Sequence, residues 1–267
     1  MKRAFPNIAR KMALMTAVFV AAGVFAVPSS VQSDPAQTKM QTMKFPYFTL
    51  RNRTGSSEPE EVYGGERSDL KAGVCRVEEL DLGVLAPLAN VAPNFLQEEL
   101  LRVQEVQELE PDTILDELEA TADARGPALY VHGYYIGFEK GCRRAVLLQQ
   151  NADLAGRFLW FSWPSDGAVT SYTHDEADLY WSLPDLADTI TELERRFGPG
   201  TVDVIGHSLG ARGVVLALAE VANRHPEIRL GHVVLLAPDV DFGIFERILP
   251  RIAPIVSSMT VYVTAGD

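Results

Sequence analysis

The stretch TVDVIGHSLGARGVVLALAEVANR, residues 201–224, decides how the rest of the chain is read. Thr201 to Ile205 is a short apolar run of strand character, and Leu209 to Asn223 has the apolar spacing of a helix. Between them Gly206-His207-Ser208-Leu209-Gly210 fits G-x-S-x-G. The bare motif arises by chance on the order of 0.1 times in a chain of this composition, so its context carries the argument. A strand entering the pentapeptide and a helix leaving it make the strand–turn–helix elbow that lifts a serine out at the end of a sheet. In so tight a turn Gly206 and Gly210 have no room for side chains. Ser208 then stands at a helix N-terminus, whose unpaired N–H groups and dipole favour a developing negative charge.

Outward from the elbow, short apolar strands alternate with helices. Ala128 to Val131 and Phe158 to Trp163 read as strands, and Phe138 to Asp153 and Leu183 to Phe197 as helices. Beyond the elbow come a strand at His232 to Ala237, a short helix at Phe242 to Leu249 and a strand at Met259 to Thr264. This alternation predicts an α/β fold, a mostly parallel sheet with helices on both faces. Upstream, Phe45 to Leu50 and Val74 to Val77 read as short strands flanking a loop over Asn52 to Arg67. Phe95 to Asp123 fits either a helix, or a strand through Val103 and Val106 that breaks at Pro111 before a helix. The stretch Pro164 to Trp181 is long enough for a lid loop, and Trp160, Phe161 and Trp163 are read as core before pocket.

Val131-His132-Gly133-Tyr134 ends an earlier strand, where such folds place the second half of an oxyanion hole. The expected donors are the backbone N–H groups of Tyr134 and Leu209. His132 is expected to brace the loop, and His207, adjacent to Ser208 in sequence, points away from it.

Taken together, YVHGYYIGFEKGCRRA (130–145), FSWPSDG (161–167), Tyr172, Asp175, DVIGHSLGARGVVLAL (203–218) and LLAPDVD (235–241) resemble a bacterial α/β-hydrolase family of mostly uncharacterised, esterase/lipase-like proteins. The likeness extends over roughly Phe45 to Asp267. It implies the α/β-hydrolase fold and a nucleophile at Ser208, and it favours Asp267 as the acid. Asp239 is the alternative, and Asp241 is a third candidate that also suits a helix N-cap. The base is not evident. In this fold the histidine follows the acid, yet His225 and His232 both precede Asp267, and His174 precedes Ser208. The resemblance implies a histidine after one further strand, so the sequence is expected to lack its last strand and helix.

Composition sets the remaining expectations. Lys2, Arg3, Arg10 and Lys11 precede the apolar run Met12 to Val27, which describes a signal peptide within residues 1–33 or an N-terminal membrane anchor through residues 12–27. Residues 34–127 then form a tether and N-terminal segment, and 128–267 the hydrolase core. A net charge of −12 argues against nucleic acid. No sequence spacing predicts a metal or a cofactor site. Cys75 and Cys142 are either a disulfide or two buried thiols. The expected function is an exported serine hydrolase, periplasmic or anchored in the inner membrane, acting on a small or lipid-like ester. The alternatives are a non-catalytic binding protein of the envelope, or an acyltransferase or amidase using the same serine.

Overall fold

A computed structural model describes residues 42–80 and 94–263 of the chain. The expected signal segment at 1–33 and the expected acid Asp267 lie outside these residues. The described chain runs β1 (Thr42–Arg53), β2 (Tyr63–Glu79), α1 (Asn94–Glu99), β3 (Leu101–Leu109), α2 (Pro111–Thr121), β4 (Ala128–Val131), α3 (Phe138–Asn151) and β5 (Phe158–Ser162). It continues with α4 (Tyr172–Phe197), β6 (Asp203–His207), α5 (Leu209–Arg224), β7 (Leu230–Leu236), α6 (Phe242–Ile252) and β8 (Val256–Tyr262).

The strands form one sheet in the order β3-β2-β1-β5-β4-β6-β7-β8. From β1 through β5, β4, β6 and β7 to β8 every pairing is parallel, whereas β1, β2 and β3 form an antiparallel meander. The chain thus has the expected α/β architecture. Strand alternation sorts side chains between two cores. Leu129, Val131, Leu159 and Phe161 join the core beneath α2, α4 and α5, whereas Ala128, Tyr130, Phe158 and Trp160 join the core beneath α3. Trp160, Phe161 and Trp163 are fully buried, so these aromatics are core.

Two expectations change and one open alternative resolves. First, β1 and β2 are long strands of 12 and 17 residues, and residues 63–67 of the expected loop pair in their ladder. Gly and charged residues hid this segment, because hydropathy alone does not report cross-strand pairing. Second, the strand-then-helix reading of residues 95–123 holds, with α1 added before β3. Third, α4 begins at Tyr172 rather than Leu183 and runs for 26 residues, so no 18-residue loop follows β5. Pro184 lies inside this helix, one residue after the start read from the sequence. Proline removes only its own N–H bond and crowds one carbonyl, a cost that packing offsets here, because Leu179, Leu186, Ile190 and Leu193 are all buried.

Cys75 on β2 and Cys142 on α3 are joined by a disulfide with their Cα atoms 6.5 Å apart. It fastens the meander to a helix of the parallel region across a separation of 67 residues. A loop of that size implies a stabilisation of roughly 2–4 kcal/mol through restriction of the unfolded chain. Urea unfolding with and without reductant should show a loss of that size, and Cys75→Ala should remove the reductant's effect.

Candidate functional site

The elbow is built by steric necessity. Ser208 adopts φ 51° and ψ −121°, a left-handed backbone strained for a residue with a side chain. A Cβ on Gly206 would lie 2.6 Å from Cα of Ala211, and one on Gly210 would lie 2.1 Å from the carbonyl oxygen of His132. Both positions therefore require glycine, as the sequence reading anticipates. The strain is held by the neighbouring strand. The N–H of Ser208 donates to the Leu236 carbonyl at 2.9 Å, and its carbonyl accepts from Ala211 N at 3.0 Å and Asp239 N at 3.1 Å. Tyr135 and Ala237, at φ 63° and 42°, carry the same strain at the same edge of the sheet. Such outliers cluster where a surrounding structure over-determines the backbone.

The β4 turn meets the elbow directly. A Cβ on Gly133 would stand 3.1 Å from Cβ of Ser208 and 3.0 Å from Nδ1 of His207, so only glycine lets the two turns touch. The N–H groups of Tyr134 and Leu209 have no hydrogen-bond partner among the described residues. The hydroxyl of Ser208, half-buried, makes no hydrogen bond among them either.

His132 is a brace, as anticipated. Its ring stacks on Trp163 with centroids 4.9 Å apart. Its Nδ1 lies 2.7 Å from the Gly133 carbonyl, and the Trp163 indole N–H donates back to the His132 carbonyl at 2.8 Å. Burial, and then the Arg51 charge, push its pKa well below the usual histidine range, so the ring is neutral. Burial also lowers His207, with Arg144 adding to the effect. His225 caps the end of α5 and faces Glu227, and His232 meets Ser258 on the exposed edge strand. None of the five histidines hydrogen-bonds Ser208.

Of the acid candidates that are described, Asp239 is already engaged. Its Oδ1 accepts from Arg212 at 2.9 Å, and its Oδ2 accepts from the Tyr172 hydroxyl. Asp241 is the N-cap of α6, accepting from Ile244 N at 2.9 Å.

Sequence reasoning missed the support of this edge. Arg51 is 1% exposed on β1, at a point where the register with β2 shifts on both sides. Bulges of this kind re-aim a side chain. Its guanidinium donates to the carbonyls of Ile136 at 2.6 Å, Ser165 at 2.8 Å and Gly64 at 3.2 Å, and to the Ser162 hydroxyl at 2.9 Å. Burial pushes it down to about 10, against the opposing pull of Asp175, Asp166 and Asp178, so it stays charged at neutral pH. Asp175, fully buried on α4, accepts from Tyr135 N at 3.1 Å, Asp166 N at 2.9 Å and the Ser165 hydroxyl at 2.5 Å. Arg51 and Asp175 thus tie the Tyr134–Tyr135 turn to the loop after β5. A cavity of about 400 Å³ lined by Met43, Phe45, Gln149 and Phe158 opens at the other end of the sheet, where β1 and β5 begin, and so is not a pocket for Ser208.

Residues 108–267, more than half of the chain, match the family described as "Alpha/beta hydrolase of unknown function (DUF900)". The chain belongs to this family. A 67-residue segment, 25% of the chain, is also 34% identical to an uncharacterised protein, alr1448, of Nostoc sp. strain PCC 7120, and covers 17% of that protein's length. No solved structure matches the chain. The region matched to the α/β-hydrolase family holds the elbow, the β4 turn and Asp175, whereas Arg51 and both strands of the β1–β2 pair lie before it.

Arg51→Met should therefore cost about 3 kcal/mol or more, because it leaves the buried acceptors of Ile136, Ser165, Gly64 and Ser162 without their donor. Arg224→Met, which breaks an exposed pair with Asp188, should cost under about 1 kcal/mol. Denaturant unfolding of the two variants checks the contrast.

Proposed function

We propose that the protein is an exported serine hydrolase that cleaves a carboxylic ester of a small or lipid-like acyl substrate through an acyl-enzyme on Ser208. The observation that carries this reading is the strained elbow of Ser208 packed against Gly133, with the unpaired N–H groups of Tyr134 and Leu209 beside it. In the reaction the Ser208 oxygen attacks the ester carbonyl, and the new oxyanion lies against the two N–H donors. The alkoxide leaves with a proton, and water then releases the acid. The proton passes through an imidazole that none of the described histidines supplies, oriented by Asp267. Asp239 is the alternative acid, available if the arriving imidazole displaces Tyr172. Membership of an α/β-hydrolase family supports the reaction class and leaves the bond cleaved open. The Cys75–Cys142 disulfide supports an oxidising compartment, in keeping with export through residues 1–33.

The second reading is a hydrolase fold kept for binding in the envelope. The unbonded hydroxyl of Ser208 favours it, since a serine without a base is a poor nucleophile. Turnover of p-nitrophenyl esters from acetyl to palmitoyl by the native protein separates the two. The enzyme reading expects saturable hydrolysis that falls about 10³-fold or more in Ser208→Ala. Hydrolysis equal in wild type and Ser208→Ala, or none with any chain length, contradicts it and favours binding.

A further inference from the structure

We propose that the first turns of α6 and the end of β8 form a docking surface for an anionic phospholipid bilayer. The proposal goes beyond the hydrolase reading and stands without it, since it concerns binding rather than turnover. Nine large apolar side chains are exposed among the described residues, and six of them gather at one edge of the sheet. Phe242, 74% exposed, and Ile244, 53% exposed, open α6 just after β7. Val261, Tyr262 and the 70% exposed Val263 end β8, and Val169 lies on the loop after β5. The parallel strands β5, β7 and β8 all finish at the edge that carries Ser208. Backbone hydrogen bonds run along it, from Ser208 N to the Leu236 carbonyl at 2.9 Å and from Ala237 N to the Tyr262 carbonyl at 2.7 Å. Tyr262 is thus two strand spacings, about 10 Å, from the serine turn. Single exposed apolar residues are ordinary, whereas a gathered set of them marks a contact surface.

The arginines provide the second, independent observation. Arg247 and Arg251 are exposed, and neither has an ion pair or hydrogen bond among the described residues. Every other described arginine is held by one or the other. Ile244, Arg247 and Arg251 are spaced by three and four residues, so they form one stripe along α6. Phe245, Ile248, Leu249 and Ile252 turn the other way and pack on the core. Helical side chains lean toward the helix N-terminus, so both guanidinium groups reach back toward the apolar edge. Phe242 to Val263 contains one acid, Glu246, against these two arginines, in a chain of net charge −12. Of the acids just before this stretch, Asp241 caps α6 and Asp239 is paired with Arg212.

This order of groups matches the layers of a membrane. Apolar side chains at the tip enter the acyl boundary by about 5–10 Å. Arg247 and Arg251 follow about 4 and 10 Å behind Ile244 along the helix, at the depth of the headgroup phosphates. Their stems cover apolar surface while the charged ends stay in the polar layer. At 11 residues α6 is too short to span a bilayer, which takes about 20, so the contact is interfacial. A bilayer held this way faces the edge on which Ser208 opens.

A polarity-sensitive nitrobenzoxadiazole dye on one introduced cysteine tests the surface in the full chain, because Cys75 and Cys142 are joined to each other. Dye at Ile244→Cys should brighten about threefold with vesicles of phosphatidylcholine and phosphatidylglycerol in equal parts. Dye at Leu80→Cys, exposed at the opposite edge of the sheet, should not respond. Vesicles of phosphatidylcholine alone, or R247Q combined with R251Q, should raise the lipid needed for half the change about tenfold or more. All four positions are exposed, so the variants should fold, and circular dichroism verifies this. No response at Ile244→Cys would overturn the proposal. So would an equal response at Leu80→Cys, as attachment through residues 12–27 alone would give, or a response indifferent to the arginines and to lipid charge. Brightening without lipid that grows with protein concentration would also overturn it, and would assign the surface to a second copy of the chain.

Discussion

The N-terminus of α5 lies against the end of β4 so closely that the carbonyl oxygens of Val131 and His132 occupy the space a Gly210 side chain would fill. The geometry of the serine turn depends on that approach. It forces glycine at 210 and brings Gly133 against Ser208, while the first turn of α5, folding back on the elbow, forces glycine at 206. Strain such as that of the left-handed Ser208 costs of order 1–3 kcal/mol per residue, and it persists only where the surroundings leave the backbone no alternative. Here the surroundings are the β7 carbonyl of Leu236, the amide of Asp239 and the parallel register of β4 with β6.

The second side of the edge depends on buried charge. Arg51 sits among carbonyls contributed by three separate segments, and Asp175 collects donors from two of them. Neither group would tolerate burial alone, and together they convert a loop, a turn and a helix into one rigid unit. His132 adds a neutral ring stacked on Trp163 rather than a further charge. The result is a turn whose backbone N–H groups are held in place before any ligand arrives, the preorganisation on which electrostatic catalysis relies.

The parallel region was legible in the sequence because its signals are local. Residues 128–131, 158–162 and 203–207 are short apolar runs with a turn residue or a helix after them, and the elbow glycines carry their own steric reason. The meander was half-legible, since the pairing of Tyr63 to Arg67 with β1 is a long-range fact that polar residues conceal. Starting this helix at Leu183 rather than Tyr172 had the widest consequence. With Tyr172 to Trp181 taken as loop, the burial of Asp175 and Asp178 on the inner side of a helix had no sequence signal. Arg51 gave no signal at all, because an arginine in an apolar strand looks the same whether it faces solvent or turns inward at a bulge.

The most direct test of the account is where a fluorophosphonate probe reacts. Incubation of the native protein with the probe, followed by peptide mass spectrometry, should place a single adduct on Ser208 within residues 201–224. Prior unfolding in urea should abolish it. An adduct on another serine, or none on the folded protein, would contradict the claim that this elbow holds an activated nucleophile.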